Sequence, residues 1–187
     1  MSSNRKATKT LGSCRVIHLH GDIDEKSGRE IINRLINLDK KSDKDILLTI
    51  DSAGGDVDVL VSIYQIIRLL RCEVATLALA NANSAAGVLL ACGKPGKRMV
   101  MPESVVMLHD MSSELSSDYH KVLENEINSL RISKKIITQM LTEHGASQAI
   151  KCLKPEATYM LGVEAVKYGL ADKVVKNLDE VLKVTNI

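Results

Sequence analysis

The sequence predicts an α/β fold with a mainly parallel sheet, and three observations carry that prediction. Short apolar runs alternate with amphipathic stretches of helical period through the first half of the chain. Turn residues or helix-start residues sit at the junctions between them. This is the pattern of repeated βαβ units, because parallel strands need a crossover, usually a helix, between them. The third observation is a long amphipathic stretch from Ser116 to Glu143, which predicts a helix longer than one small domain readily buries and hence a candidate subunit-interface element.

In chain order, Arg15 to Leu19 reads as a strand, and Asp24 opens a helix whose apolar positions are Ile31, Ile32, Leu35 and Ile36. Ile46 to Ile50 is the second strand. Ser52-Ala53-Gly54-Gly55 then signals a turn, after which Val57, Leu60, Val61, Tyr64, Ile67 and Leu70 mark a helix. Val74 to Leu79 is the third strand, Asn81-Ala82-Asn83 a tight polar turn, and Ser84 to Cys92 a helix of small residues broken by Gly93-Lys94-Pro95-Gly96. Strands follow over Arg98 to Val100 and Ser104 to Leu108. The long helix carries one stripe, Tyr119, Leu123, Ile127, Leu130, Ile137 and Leu141, and Gly145 occupies the usual stop position. No composition break divides the chain, so the expected organisation is a short flexible segment over residues 1–14 and one domain over 15–187.

Composition narrows the function. With 187 residues, 45% hydrophobic and 26% charged, the chain is expected to fold around a core of its own. Its only aromatics are four tyrosines and its net charge is +2, which gives neither stacking surfaces nor a basic field for nucleic acid. Cys14, Cys72, Cys92 and Cys152 are widely spaced and lack metal-site spacing, so reduced thiols in a cytoplasmic protein, with no metal and no cofactor, are expected. Met1 to Lys9 is polar and basic but leads into no secretory apolar run. The apolar stretch Val74 to Cys92 contains Thr76, Asn81, Asn83 and Ser84 near its middle, which argues against a membrane span.

Three features could carry chemistry. Ser84 follows a strand and begins a helix, where unpaired backbone N–H groups would stabilise a developing oxyanion; read locally, it would serve equally as an ordinary helix cap. His109 ends an apolar strand, at the edge where catalytic groups of open α/β sheets gather. Gly54-Gly55 offers backbone N–H groups with no side chain in the way, and without a following GK[ST] it is not a phosphate loop. His18, His20, His120 and His144 have no evident nucleophile or further metal ligand to pair with.

Taken together, Arg15-Val16-Ile17-x-Leu19-x-Gly21, Ile50-Asp51-Ser52-Ala53-Gly54-Gly55, Asn83-Ser84-Ala85-Ala86, Met107-Leu108-His109 and Glu164-Ala165-x-x-Tyr168-Gly169-Leu170-x-Asp172 resemble the ATP-dependent Clp protease proteolytic subunits. The resemblance spans Arg15 to Val175 and implies the Clp protease and crotonase fold, with repeated βαβ units and a long protruding interface helix. It implies a serine endopeptidase working through an acyl-enzyme on short or unfolded peptides inside an oligomeric chamber. Ser84 would be the nucleophile, His109 its general base, and the N–H groups of Gly55 and Ala85 the oxyanion hole. Asp56 and Val57 would pair with an extended substrate strand. Two stacked seven-membered rings and an AAA+ unfoldase partner are also implied, although the 14 residues before Arg15 are fewer than the family's axial loop and first helix need.

Two further departures stand out. The family's catalytic aspartate falls on Ala157, with Glu156, Thr158 and Asp110 as substitutes near that place. The glycine turn has Ala53 where a proline is usual. The absent aspartate supports a second reading, a noncatalytic or weakly active structural subunit. A crotonase-type acyl-CoA enzyme shares the fold but has no need for this serine and histidine. A serine–lysine peptidase would require Lys94 or Lys97 to reach Ser84 from beyond the glycine break.

Overall fold

A computed structural model describes residues 15–110 and 120–187, with residues 120–123 described by their backbone alone. The element order is β1 (Val16–His20), α1 (Glu25–Lys41), β2 (Ile46–Ser52), α2 (Val57–Leu69), β3 (Val74–Asn83), α3 (Ala85–Ala91), β4 (Arg98–Val100), β5 (Val105–Leu108), α4 (His120–Glu143), β6 (Thr158–Leu161), α5 (Gly162–Lys167), β7 (Lys173–Val174) and α6 (Leu178–Val184). A 3-10 turn, Ser147–Cys152, lies between α4 and β6. The expected alternation is therefore present, and the sheet is parallel in the order β1-β2-β3-β4-β7.

One departure from the expected outline matters for the site. Asn81-Ala82-Asn83 is not a turn: β3 runs through it, pairing with β4 at Thr76 to Ala78 and then with β5 at Asn81 to Asn83. The strand thus changes neighbour part-way. A register irregularity in β2 between Ile50 and Ser52 accompanies the change, as a bulge does when it bends a sheet. On its far side β5 takes β6 antiparallel.

Both faces of the sheet are covered, which is why strands such as Ile46–Ser52 are nearly continuous apolar runs instead of alternating ones. On one face Ile17, Leu19, Ile46, Leu48 and Ile50 pack with Leu35, Leu60, Ile63 and Leu89 of the helices. On the other, Val16, Leu47, Leu77 and Met99 pack under Val181 of α6. Asp24 caps α1 as foreseen, accepting from Ser27 N–H at 2.7 Å while its own N–H donates to Ser27 Oγ. Among buried charges, Arg98 is held by Asp172 Oδ1 at 2.5 Å and also donates to the carbonyls of His144 and Gly169, tying the ends of α4 and α5 to β4. Its charge is paired and most of its donors are engaged, as burial demands.

Helix α4 has two characters. From Ile137 onward it is packed, with Ile137, Met140 and Leu141 buried. Between 124 and 135 no residue is buried, and Ile132 is 61% exposed. The expected start of the helix at Ser116 and the stripe position Tyr119 lie outside the described residues, as do the side chains of His120 and Leu123, Cys14 and the 1–14 segment. Gly145 ends the helix with φ +74°, a conformation glycine adopts at no steric cost. Cys72, Cys92 and Cys152 are buried free thiols. Among the described residues no helix is long and apolar enough to cross a membrane.

Candidate active site

Ser84 stands at the junction of β3 and α3 with φ +53° and ψ −122°, the one non-glycine residue of positive φ among those described. Such a conformation is costly for a residue with a Cβ and needs surrounding structure to hold it. Three contacts do so here. Ser84 N–H donates to Met107 O at 2.7 Å, and Ser84 O accepts from Gly87 and Val88 N–H at 3.0 and 3.2 Å. The capping role is not taken up: the side chain makes no cap hydrogen bond. Instead, Ser84 Oγ lies 2.9 Å from His109 Nε2. His109 follows the last residue of β5, and β5 lies beside the end of β3, so two adjacent parallel strands deliver the pair.

The glycine turn closes the site from below. Gly54 has φ +103°, and a Cβ there would come 2.6 Å from Asn83 O and 2.9 Å from Ser84 Cβ. Gly55 has φ +143°, and its Cβ would strike Ile23 O at 2.3 Å. Ile23 N–H donates to Gly54 O and Ile23 O accepts from Asp56 N–H, both at 2.8 Å, so the turn is stitched as a short parallel bridge on one side. Among the described residues no hydrogen bond uses the N–H of Gly55 or that of Ala85, the first residue of α3. Both residues line one cavity of about 270 Å³ together with Ser84 and His109. Its walls are Val57, Val88, Met107, Ile137 and Leu153, with Asp110 at the rim of the β5 end.

The third position is open. The antiparallel pairing ends with Leu108 opposite Thr158, so His109 follows β5 as Ala157 precedes β6, and beyond them Asp110 N–H donates to Lys154 O. Ala157 is exposed and supplies no carboxylate. Of the substitutes, Thr158 pairs with buried Leu108 and so shares its face, which by strand alternation is not the face of His109. Glu156 is exposed, makes no hydrogen bond among the described residues and does not line the cavity. Asp110 lines the cavity, but its carboxylate receives Lys134 Nζ at 2.5 Å. Among the described residues, the one hydrogen bond of the His109 ring is that with Ser84.

The expected strand-pairing residues divide. Asp56 is committed to the fold: its N–H donates to Ile23 O, its carbonyl accepts from Leu60 N–H, and its carboxylate caps α2 by accepting from Asp58 and Val59 N–H. It has no main-chain group to offer. Val57, first in α2, keeps an N–H that no described residue accepts, and it lines the cavity. Other expected non-participants are elsewhere. His18 contacts Thr49 Oγ1 at 2.7 Å, His20 sits 3.3 Å from Asp51, and His144 packs edge-on against Tyr64. Lys94 pairs with Glu73, and Lys97 with Glu73 and Asp45, which holds both away from Ser84. Burial pushes the thiols of Cys72, Cys92 and Cys152 up, so none is poised as a nucleophile. The wall residues Val88, Ile137 and Leu153 were not foreseen; their apolar side chains look like core in the sequence, and only the fold brings them to one opening.

Comparison with known proteins identifies the family. The Clp protease family model matches residues 2–178. The chain is 34% identical over 162 residues to the ATP-dependent Clp protease proteolytic subunit of Carsonella ruddii (strain PV), covering 86% of this chain and 83% of that protein. It is 33% identical over 163 residues to ATP-dependent Clp protease proteolytic subunit 1 of Corynebacterium glutamicum, covering 86% and 78%. To ATP-dependent Clp protease proteolytic subunit 4, chloroplastic, of Arabidopsis thaliana it is 33% identical over 167 residues, covering 86% and 56%. With the parallel sheet, the serine at its strand–helix junction and the family match spanning nearly the whole chain, this protein belongs to the Clp protease family.

Proposed function

We propose that the chain is a serine endopeptidase in which Ser84 is the nucleophile and His109 the general base. The observation that supports this best is the 2.9 Å approach of His109 Nε2 to Ser84 Oγ, beside two backbone N–H groups that no described residue accepts. His109 takes the hydroxyl proton as Ser84 Oγ attacks the peptide carbonyl, and the N–H groups of Gly55 and Ala85 receive the oxyanion. The protonated imidazole then gives its proton to the leaving amine, and a water repeats the sequence to release the acyl group. The unused N–H of Val57 binds a carbonyl of an extended peptide along the cavity.

The assembly carried over from the family is two stacked seven-membered rings of this chain, with the exposed half of α4 at the contact between rings and an AAA+ unfoldase as partner. The unburied Ile132 and the absence of any buried residue from 124 to 135 favour this use of the helix. Short and unfolded peptides are then the substrates.

A second reading, a noncatalytic subunit of the same fold, is favoured by one observation, the alanine at position 157, where the resemblance sets the family's aspartate. The two readings differ in the reactivity of Ser84. Intact protein treated with a fluorophosphonate should gain the adduct mass on Ser84, and Ser84→Ala should gain none. A wild type that takes no adduct rules out the peptidase.

A further inference from the structure

Lys134 ties α4 to the residue that follows the base. Its ammonium donates to Asp110 Oδ2 at 2.5 Å and to the Leu153 carbonyl at 3.4 Å, while Asp110 N–H donates to Lys154 O at 2.8 Å. One cation thereby spans α4, the end of β5 and the loop that leads into β6. Asp110 and Leu153 both line the cavity, so this clamp forms part of its wall. Position 157, just before β6, holds no carboxylate. Among the described residues the ring's one hydrogen bond is with Ser84, so its seating follows the backbone of residues 109 and 110.

We propose that Lys134 is a positioning residue for His109, acting through Asp110, so that the seating of α4 sets the distance between base and nucleophile. The proposal rests on the reading of Ser84 and His109 as nucleophile and base. A partly exposed ion pair adds little to global stability. Reaction rate responds far more steeply, since a misplacement of about 1 Å costs up to roughly a hundredfold. Loss of the clamp should therefore register in the rate and in the ring's surroundings more than in folding.

Lys134→Met keeps the aliphatic stem and removes the ammonium, Lys134→Arg keeps a cation, and Asp110→Asn removes the charge that receives it. In the full-length protein, Lys134→Met should slow both fluorophosphonate labelling of Ser84 and kcat for a short peptide roughly tenfold, with KM little changed. Lys134→Arg should recover most of the rate. Asp110→Asn should match Lys134→Met, and the double variant should be no slower than either single one. In histidine-labelled protein, the His109 ring resonances should shift or broaden in Lys134→Met while those of His144 stay in place. Wild-type labelling rate and unmoved His109 resonances in that variant would overturn the proposal, as would losses that add in the double variant. If wild-type Ser84 takes no label, it is the nucleophile assignment that fails, and the His109 resonances alone decide the clamp.

Discussion

Ser84 N–H donates to the carbonyl of Met107 at 2.7 Å, so the backbone of the candidate nucleophile is fastened to the strand that reaches its base two residues later. That bond helps hold Ser84 at φ +53°, a conformation that favours glycine. Ser84→Gly should therefore unfold at higher denaturant than Ser84→Ala, by about 1 kcal/mol, although both lose all fluorophosphonate labelling. Equal unfolding midpoints for the two variants would show that no strain is held at this residue.

Ala157→Asp supplies a carboxylate at the position where the resemblance sets the family's aspartate. The aspartate of a Ser-His-Asp site fixes the imidazole tautomer and stabilises its protonated form, and its loss lowers turnover by about 10⁴, or roughly 5.5 kcal/mol of barrier. Peptide hydrolysis should rise by orders of magnitude in Ala157→Asp, at unchanged oligomer mass, and the gain should vanish when Ser84→Ala is added. No gain from Ala157→Asp, with wild type already fast, would mean that another residue orients His109.

The glycines should rank by what a methyl group would meet. Gly54→Ala drives carbon into Asn83 O and Ser84 Cβ, and Gly55→Ala into Ile23 O, so both should abolish labelling of Ser84. Gly21 shares their positive φ, at +85°, but a Cβ there meets nothing within 4 Å. Gly21→Ala should cost about 1 kcal/mol of stability and leave labelling intact. Comparing the three by denaturation and by intact mass separates backbone strain from collision.

Acid should weaken the fold in two stages. Burial holds the His144 imidazole below its ordinary 6.5, so the unfolded chain binds that proton first, and stability declines as pH falls below about 6.5. Asp39 accepts from Cys72 N–H and from Arg71, which keep its carboxyl at about 2 against an ordinary 3.8. Its contribution is whole above about pH 4 and is lost as pH falls toward 2. His144→Phe should flatten the upper limb of a stability–pH curve and Asp39→Asn should reduce the lower one, to which Asp172, whose carboxyl, despite burial, Arg98 holds low, also contributes. An upper limb unchanged in His144→Phe would assign it to another group.

The strands and helices up to Leu108 were legible because apolar runs and helical stripes alternate along this stretch, with Gly, Pro, Asn or Asp at most of the junctions. The misreading of Asn81 to Asn83 has a physical reason: polar residues near the end of an apolar strand look like a turn, whereas here they continue β3 so that it can pair with β5. Past α4, β6, α5, β7 and α6 are 2 to 7 residues long, too short to display a period, and they are fixed by tertiary pairing. At the site, Ser84, His109 and Gly55 were legible from the order of their motifs. Asp56 was not, because a capping aspartate looks the same in the sequence whether or not its backbone is already engaged. Nor was Lys134, whose partner becomes visible only once α4 folds back against the end of β5.

The place of β6 beside β5 also orders events during synthesis. β5 is pinned by β3 on one side and by β6 on the other, and the carbonyl that anchors Asp110 belongs to Lys154. A chain emerging N-terminus first exposes Ser84 and His109 long before Thr158 to Leu161 are available to pair. β5 thus gains its second neighbour only when almost the entire chain has left the ribosome. A half-made chain therefore carries Ser84 and His109 before the strand that flanks β5 has been made.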